Sequence, residues 1–335
     1  MTEEKEIEVD WSDMEYEDEK TIITQQNLDA YLFKNLFSEY PEYVNLRMEN
    51  KKLIGDLKIN YKDKHLLMRR TKTIQKGNYG EIYEYSSEGE DPIKYAVKFS
   101  INPGDLERKA INALREREIK LFQENEERSD SCLVPGKIVI SDNFNISIMP
   151  LMDGDLVDFY DNSTDADFDF KIRKNIFENV RAQLQCILNL NHSNGNPRSE
   201  RDINIEFAYM DLKPDNVLYK LNKDGTYTFL LGDIGSIIPF TDSKGDKFFT
   251  TNTPCSTKIC EEKQKVYIKD FNIISCMRYI FGIFCFKLLY PNIDTSKFIS
   301  LRRKINFSEA MVKYLGKSYD NLLYDETPDI RTGMY

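Results

Sequence analysis

The stretch Phe207-Ala208-Tyr209-Met210-Asp211-Leu212-Lys213-Pro214-Asp215-Asn216-Val217-Leu218 constrains this chain more than any other. Asp211, Lys213 and Asn216 put an acid, a base and an amide within six residues. Pro214 lacks a backbone donor and biases Lys213 towards extended geometry, which disfavours a helix across the segment. A short loop can therefore aim all three side chains at one point. Such a point suits the deprotonation of a hydroxyl beside a metal-bound phosphate.

At 335 residues, 41% hydrophobic and 30% charged, the chain can bury one sizeable core or the two lobes of one enzyme. The net charge of −10 is uneven: residues 1–20 hold ten acidic side chains against Lys5 and Lys20, which leaves −2 for the other 315 residues. A near-neutral body with an acidic tail argues against non-specific nucleic-acid binding. Cys132, Cys186, Cys255, Cys260, Cys276 and Cys285 are scattered without C-x-x-C spacing, as expected of reduced core thiols in an intracellular, cytoplasmic protein. His65 and His192 are too few and too far apart for a histidine-rich metal site. No basic segment followed by an apolar run opens the chain, so no secretory signal is expected. The apolar stretch from Ile273 to Tyr290 is interrupted by Arg278 and Lys287, which predicts a buried helix and no membrane span.

Taken in order, residues 1–20 read as a disordered acidic tail carrying the single tryptophan, Trp11. A helical pattern (Leu28, Leu32, Leu36) follows between Gln25 and about Lys58. From about Lys72 the period becomes that of strands, and residues 73–85 read as strand, glycine turn, strand around Gly77 and Gly80. Lys94–Phe99 is a further strand ending near one inward lysine, Lys98. Leu106, Ala110, Ala113, Leu114 and Leu121 mark one face of a helix from about Asp105 to Glu124. Strand-like runs at 137–141 and 145–149 precede a second long amphipathic helix through Ile176, Val180, Leu184, Ile187 and Leu188. A polar insertion at 196–206 leads into the Asp211 segment, and a hairpin turns at Asn222–Gly225. In Leu230-Leu231-Gly232-Asp233-Ile234-Gly235-Ser236 an acid follows a buried strand at a glycine-flanked turn, which suits a second metal ligand. Residues 236–260 are polar and threonine-rich.

In this order and spacing the motifs of residues 66–335 resemble those of the eukaryotic-type serine/threonine protein kinases, in a compact, divergent form similar to kinases of large DNA viruses. Asp211 to Asn216 matches the catalytic loop H-R-D-L-x-x-x-N, with Tyr209 and Met210 in place of histidine and arginine. Gln75, Gly77 and Gly80 match G-x-G-x-x-G with glutamine for the first glycine, and Lys94–Phe99 resembles V-A-I-K. Asp233-Ile234-Gly235 matches D-F-G. Asp270 resembles the acid that opens helix F, and Tyr324–Arg331 the late D-P-x-x-R element. A-P-E has no clear counterpart beyond Glu261 or Glu262.

The resemblance implies an α+β, bilobal fold, with a small antiparallel-sheet lobe carrying one helix and a mainly helical large lobe. Residues 1–65 would form an acidic, partly disordered extension, 66–152 the small lobe with its hinge, and 153–335 the large lobe, without the usual final helix. It implies ATP and Mg²⁺ as cofactors and protein serine or threonine hydroxyls as substrates. Asp211 would accept the hydroxyl proton and Lys213 would neutralise the migrating phosphoryl, while Asn216 and Asp233 would hold the metal. Lys98 would grip the α- and β-phosphates, oriented by Glu118 or alternatively Glu116. Gln75, Gly77, Gly80, Ile82, Ala96, Met149 as gatekeeper, the backbone of Pro150 and Met152, and Leu218 would complete the nucleotide envelope. An apolar stack of Phe122, Ile234 and Tyr209 would join the lobes. Met210 cannot pair with a phosphate, so activity should not require phosphorylation of Thr250, Thr251 or Thr253. Two alternatives stand beside the active kinase: a non-catalytic pseudokinase serving as an interaction module, and a small-molecule phosphotransferase of similar fold.

Overall fold

The computed structural model of the protein describes residues 23–32, 37–39, 47–49, 52–62, 64–77, 80–101, 137–140, 144–162, 170–188, 207–209, 211–233, 236–239, 247–249, 261–262, 265–267, 273–294, 298, 301, 304–319 and 321–323. It is a mixed α+β structure. Trp11, Glu116, Glu118, Phe122, His192, Met210, Ile234, Asp270, the threonines at 250, 251 and 253, and the 324–331 element lie outside the described residues.

The first half is built on one sheet. The described elements are α1 (Gln25–Leu32), β1 (Phe37–Glu39), β2 (Arg47–Glu49), β3 (Lys52–Ile54), β4 (Leu57–Tyr61), β5 (Lys64–Gly77), β6 (Gly80–Ser86), β7 (Lys94–Ile101), β8 (Lys137–Ile140) and β9 (Phe144–Pro150). Seven of these strands form a sheet in the order β1-β8-β9-β7-β6-β5-β4, antiparallel except for the parallel β1–β8 pair. Alternation sets its faces. Tyr95, Val97 and Phe99 of β7 and Ile146 and Ile148 of β9 bury on one face, together with Leu57, Ile59, Tyr61, Met68, Tyr83 and Tyr85. Lys98 and Ala96 therefore take the other face.

Two features of this half differ from the sequence expectation. The sequence reads as a helical pattern (Leu28, Leu32, Leu36) and then polar connectors up to about Lys58; the structure describes a helix at Gln25–Leu32, with Leu36 outside the described residues, and strands in place of connectors from Phe37 on. The signal for β4 is the two-residue period of Leu57, Ile59 and Tyr61, all buried. The boundary drawn at residue 65 also cuts through a folded unit. Leu28 and Leu32 of α1 and the inner residues of β4 belong to the same core as the rest of the sheet, and β4 pairs with β5 from Leu57↔Met68 to Tyr61↔Lys64. Burial overrides the polar composition of the surrounding sequence. The α1 start is capped: the Thr24 N–H donates to Asn27 Oδ1 (2.9 Å) and the Asn27 N–H to Thr24 Oγ1 (3.3 Å).

The second half has its own core. It comprises β10 (Gly154–Asp155), α2 (Leu156–Asn162), α3 (Phe170–Leu188), β11 (Phe207–Tyr209), a 3₁₀ turn (Pro214–Asn216), β12 (Val217–Leu221), β13 (Tyr227–Leu231), β14 (Ile237–Pro239), β15 (Lys247–Phe249), β16 (Glu261–Glu262), β17 (Lys265–Tyr267), α4 (Ile273–Leu289) and α5 (Phe307–Ala310), continued by a π-helical turn at Met311–Leu315. Phe177 of α3 stacks on Phe281 of α4 with ring centroids 5.5 Å apart, and Ile176, Val180, Leu184, Met277, Phe284 and Phe286 fill the space around them. Among the described residues no helix is long and apolar enough to cross a membrane, and the apolar residues of α4 lie in the buried core. The polar region after Ser236 is not featureless: β14 pairs with β11, and β15, β17 and β16 form a small antiparallel sheet that contains Glu261 and Glu262.

Candidate functional site

The pairing register places the expected nucleotide residues on one surface. Ile82 lies opposite Lys98, and Ala96 opposite Met149. Directly paired residues share a face of a sheet, so Ile82, Ala96, Lys98 and Met149 all lie opposite the apolar core. Gly77 and Gly80 close the β5–β6 hairpin as partners of one another, and Gln75 pairs with Ile82.

The chain then leaves the sheet through Leu151 and Met152. The Leu151 carbonyl accepts from Lys220 Nζ (2.8 Å), and the Asp153 N–H donates to the Tyr219 carbonyl (2.9 Å). Asp153 Oδ2 also accepts from the Leu221 N–H (2.7 Å). The link between the halves is thus pinned along β12, the strand that follows Asn216. Leu218 pairs with Asp155 across β10 and β12, and a Cβ on Gly232 would come within 3.2 Å of its side chain. Glycine at 232 lets the Asp233 turn sit against Leu218.

Asp211, Lys213, Asn216 and Asp233 come together on short segments between strands. Lys213 Nζ lies 3.3 Å from Asp211 Oδ2. Asn216 Nδ2 donates to the Asp211 carbonyl (2.7 Å) and reaches its Oδ2 (3.3 Å), so the amide fixes the loop that carries the acid. The Gly232 N–H donates to the Asn216 carbonyl (2.8 Å), which ties the Asp233 turn to the same loop. Lys98, on the first half, forms an ion pair with Asp233 Oδ1 on the second. Glu118, expected beside Lys98, lies outside the described residues.

Asp233 has φ +50°, a left-handed backbone uncommon for a non-glycine residue though less so for aspartate, and its surroundings hold it there. Several bonds do so. Its carbonyl accepts from the Ser236 N–H (2.9 Å), and its Oδ2 accepts from Ser236 Oγ (2.9 Å). Burial by itself would raise the Asp233 pKa, but the Lys98 charge and hydrogen bond, the Ser236 hydroxyl and the field of Lys213 outweigh it and hold the pKa below the usual carboxylate value. The group is therefore anionic across the physiological range.

Two hydroxyl roles escaped the sequence reading. Tyr209 is fully buried, and its hydroxyl donates to the Gly232 carbonyl (2.7 Å), immediately before Asp233. Burial, then the nearby Asp233 and Asp211 charges, push its pKa far up, so it stays a neutral donor. Treated only as an apolar ring, Tyr209 hides this role. Its expected partners Phe122 and Ile234 lie outside the described residues. Ser236 supplies the other, and its signal was available: a serine three residues after an aspartate is a common local hydrogen-bonding pair.

Comparison of the chain with protein-family models and with curated proteins finds no match. The chemistry of the site therefore rests on its own geometry. Among the described residues no group of three or more His, Cys, Asp or Glu side chains forms a metal site. Asn216 and Asp233 nevertheless offer amide and carboxylate oxygens, the hard donors Mg²⁺ prefers. Mg²⁺ commonly takes one or two protein ligands and fills its remaining positions with phosphate and water.

Proposed function

We propose that the chain is a bilobal, kinase-like phosphotransferase that moves the γ-phosphoryl of ATP to serine or threonine hydroxyls of a protein. One observation carries this reading: Lys98, from the middle strand of the first core, meets Asp233 beside the Asp211–Lys213–Asn216 loop of the second. A sheet face with a cation, a carboxylate at a braced turn and an acid–base–amide loop supplies the positioning and charge neutralisation that phosphoryl transfer needs.

In this reading ATP lies between the two cores. Its adenine meets the backbone of Pro150 and Met152 and is enclosed by Ile82, Ala96, Met149 and Leu218. Gln75, Gly77 and Gly80 cover the phosphates, and Lys98 contacts the α- and β-phosphates. Mg²⁺, when bound, would neutralise phosphate oxygens between Asn216 and Asp233. Asp211 orients the substrate hydroxyl and accepts its proton as the oxygen bonds to the γ-phosphorus and the bond to ADP breaks. Lys213 follows the charge on the transferred group, so its loss should lower turnover more than nucleotide affinity.

The test is transfer of radiolabelled phosphate from ATP to a generic protein substrate, with Asp233→Ala as control. Label on serine or threonine that disappears in the variant is the expected result. Near-normal transfer by the variant would remove Asp233 from the mechanism. Label on a small acceptor alone would assign the site to a small-molecule phosphotransferase, and nucleotide binding without transfer would mark a pseudokinase.

A further inference from the structure

We infer that Ser236 is a positioning residue for the metal-and-phosphate site, acting through the carboxylate of Asp233. The inference rests on the phosphotransfer reading above and adds a residue to it. The two oxygens of Asp233 have different partners: Oδ1 faces Lys98, and Oδ2 accepts from Ser236 Oγ at 2.9 Å. Ser236 is buried, at 8% exposure, so bulk water is poorly placed to take over its hydroxyl's role. The same residue donates its N–H to the Asp233 carbonyl (2.9 Å), closing the turn that keeps Asp233 at φ +50°.

These contacts define the plane of the carboxylate. A lysine alone can draw both oxygens of an acid towards itself, because a point charge on a flexible stem sets no orientation. Ser236 holds one oxygen away from Lys98 with a neutral donor, which fixes the side-chain torsion without adding charge. The backbone beneath is fixed independently. The Gly232 N–H is bonded to the Asn216 carbonyl and the Gly232 carbonyl to the Tyr209 hydroxyl, so the turn stays in place when the hydroxyl is removed. Removing it frees the carboxylate to rotate onto Lys98, and an oxygen needed by a metal beside Asn216 is then misdirected. The effect belongs to metal-dependent nucleotide binding and only secondarily to folding.

The experiment is a Mg²⁺ titration of fluorescent ATP-analogue binding to the full chain, for wild type, Ser236→Ala, Ser236→Thr and Asp233→Ala. Loss of one hydrogen bond to a charged group predicts that Ser236→Ala raises half-saturating Mg²⁺ about tenfold. Ser236→Thr, which keeps the hydroxyl, should stay within about twofold of wild type on the same reasoning. If Ser236→Ala does not fold, Ser236→Cys asks the same question at nearly constant volume. A hydroxyl-less variant with wild-type Mg²⁺ dependence, or a threonine variant as impaired as alanine, would overturn the role of Ser236 while leaving the site reading intact. Wild-type Mg²⁺ dependence in Asp233→Ala, or no nucleotide binding by wild type, would overturn the site reading and this inference with it.

Discussion

The two cores deliver their functional groups by different means. Lys98 stands on β7, which is bonded along its length to β6 on one side and β9 on the other. Its position follows from the register of a sheet. Asp211, Asn216 and Asp233 hang from elements of three to five residues, and their aim depends on hydrogen bonds from Asn216, Tyr209, Ser236 and the Gly232 N–H. A sheet tolerates a changed neighbour because many ladder bonds share the load. A braced loop depends on a few polar contacts, so single changes there should affect chemistry more than stability.

The largest expected effect is in the braced region. Asp233→Ala should lower phosphoryl transfer by about 10⁴-fold, about 5.5 kcal/mol of transition-state stabilisation. Its urea midpoint should move little, and a large loss of stability at unchanged activity would invert the comparison. The cores come next. Phe281→Ala, which removes a ring stacked on Phe177, should cost about 3–5 kcal/mol in denaturant unfolding, whereas Ile148→Val in the first core should cost only about 0.5–1.5 kcal/mol. If the cores melt separately, each substitution moves only its own transition. A single shared transition would show that the contacts between the halves couple them.

A smaller change probes the braces directly. Tyr209→Phe leaves the buried Gly232 carbonyl without its donor, a cost of about 1–3 kcal/mol. Because the lost bond lies beside Asp233, turnover should fall while the far-ultraviolet spectrum is kept. Equal turnover would make Tyr209 a packing residue only.

The smallest effect belongs to the sheet. Glu84 is buried between Lys72 (3.1 Å) and Lys94 (3.4 Å). Burial alone would raise its pKa, but the hydrogen bonds and the two lysine charges bring it below its ordinary value. A carboxylate with a depressed folded pKa contributes its stability above its unfolded pKa and loses it as pH falls through the folded one. The wild type should therefore weaken more than Glu84→Gln between neutral pH and pH below about 4, measured by urea midpoints. An identical slope in both proteins would mean that the lysines contribute nothing measurable.

This contrast also marks how much could be read from the chain. The grouping of Lys98, Asp211, Asn216 and Asp233 could be expected from the motifs that carry the sequence resemblance, and the structure brings these side chains together. β6, β7 and β9 were legible from their two-residue period, and α4 from its apolar run. The hydroxyl of Tyr209 was not, because it acts on a backbone carbonyl 23 residues away that only the fold brings near, whereas the Asp233–Ser236 spacing was local and went unread. The place of α1 was not either. Its eight residues carry no motif, and their meaning depends on what they cover.

What α1 covers has a practical consequence for anyone expressing part of this chain. Asp29 accepts from the Tyr95 hydroxyl (2.7 Å) and from Gln25 Nε2 (2.8 Å), while Gln25 Oε1 accepts the Lys94 N–H (3.0 Å) at the start of β7. Tyr95 is fully buried. A fragment begun at residue 66 would lose α1 from the core and β1 and β4 from the sheet. It would leave the Lys94 N–H and the Tyr95 hydroxyl without these partners and turn β5 into a raw edge, a template for strand pairing between molecules. Such a piece should precipitate at concentrations where one starting at or before Ile23 stays in solution, so the smallest usable version of this protein is set by a helix that carries none of its chemistry.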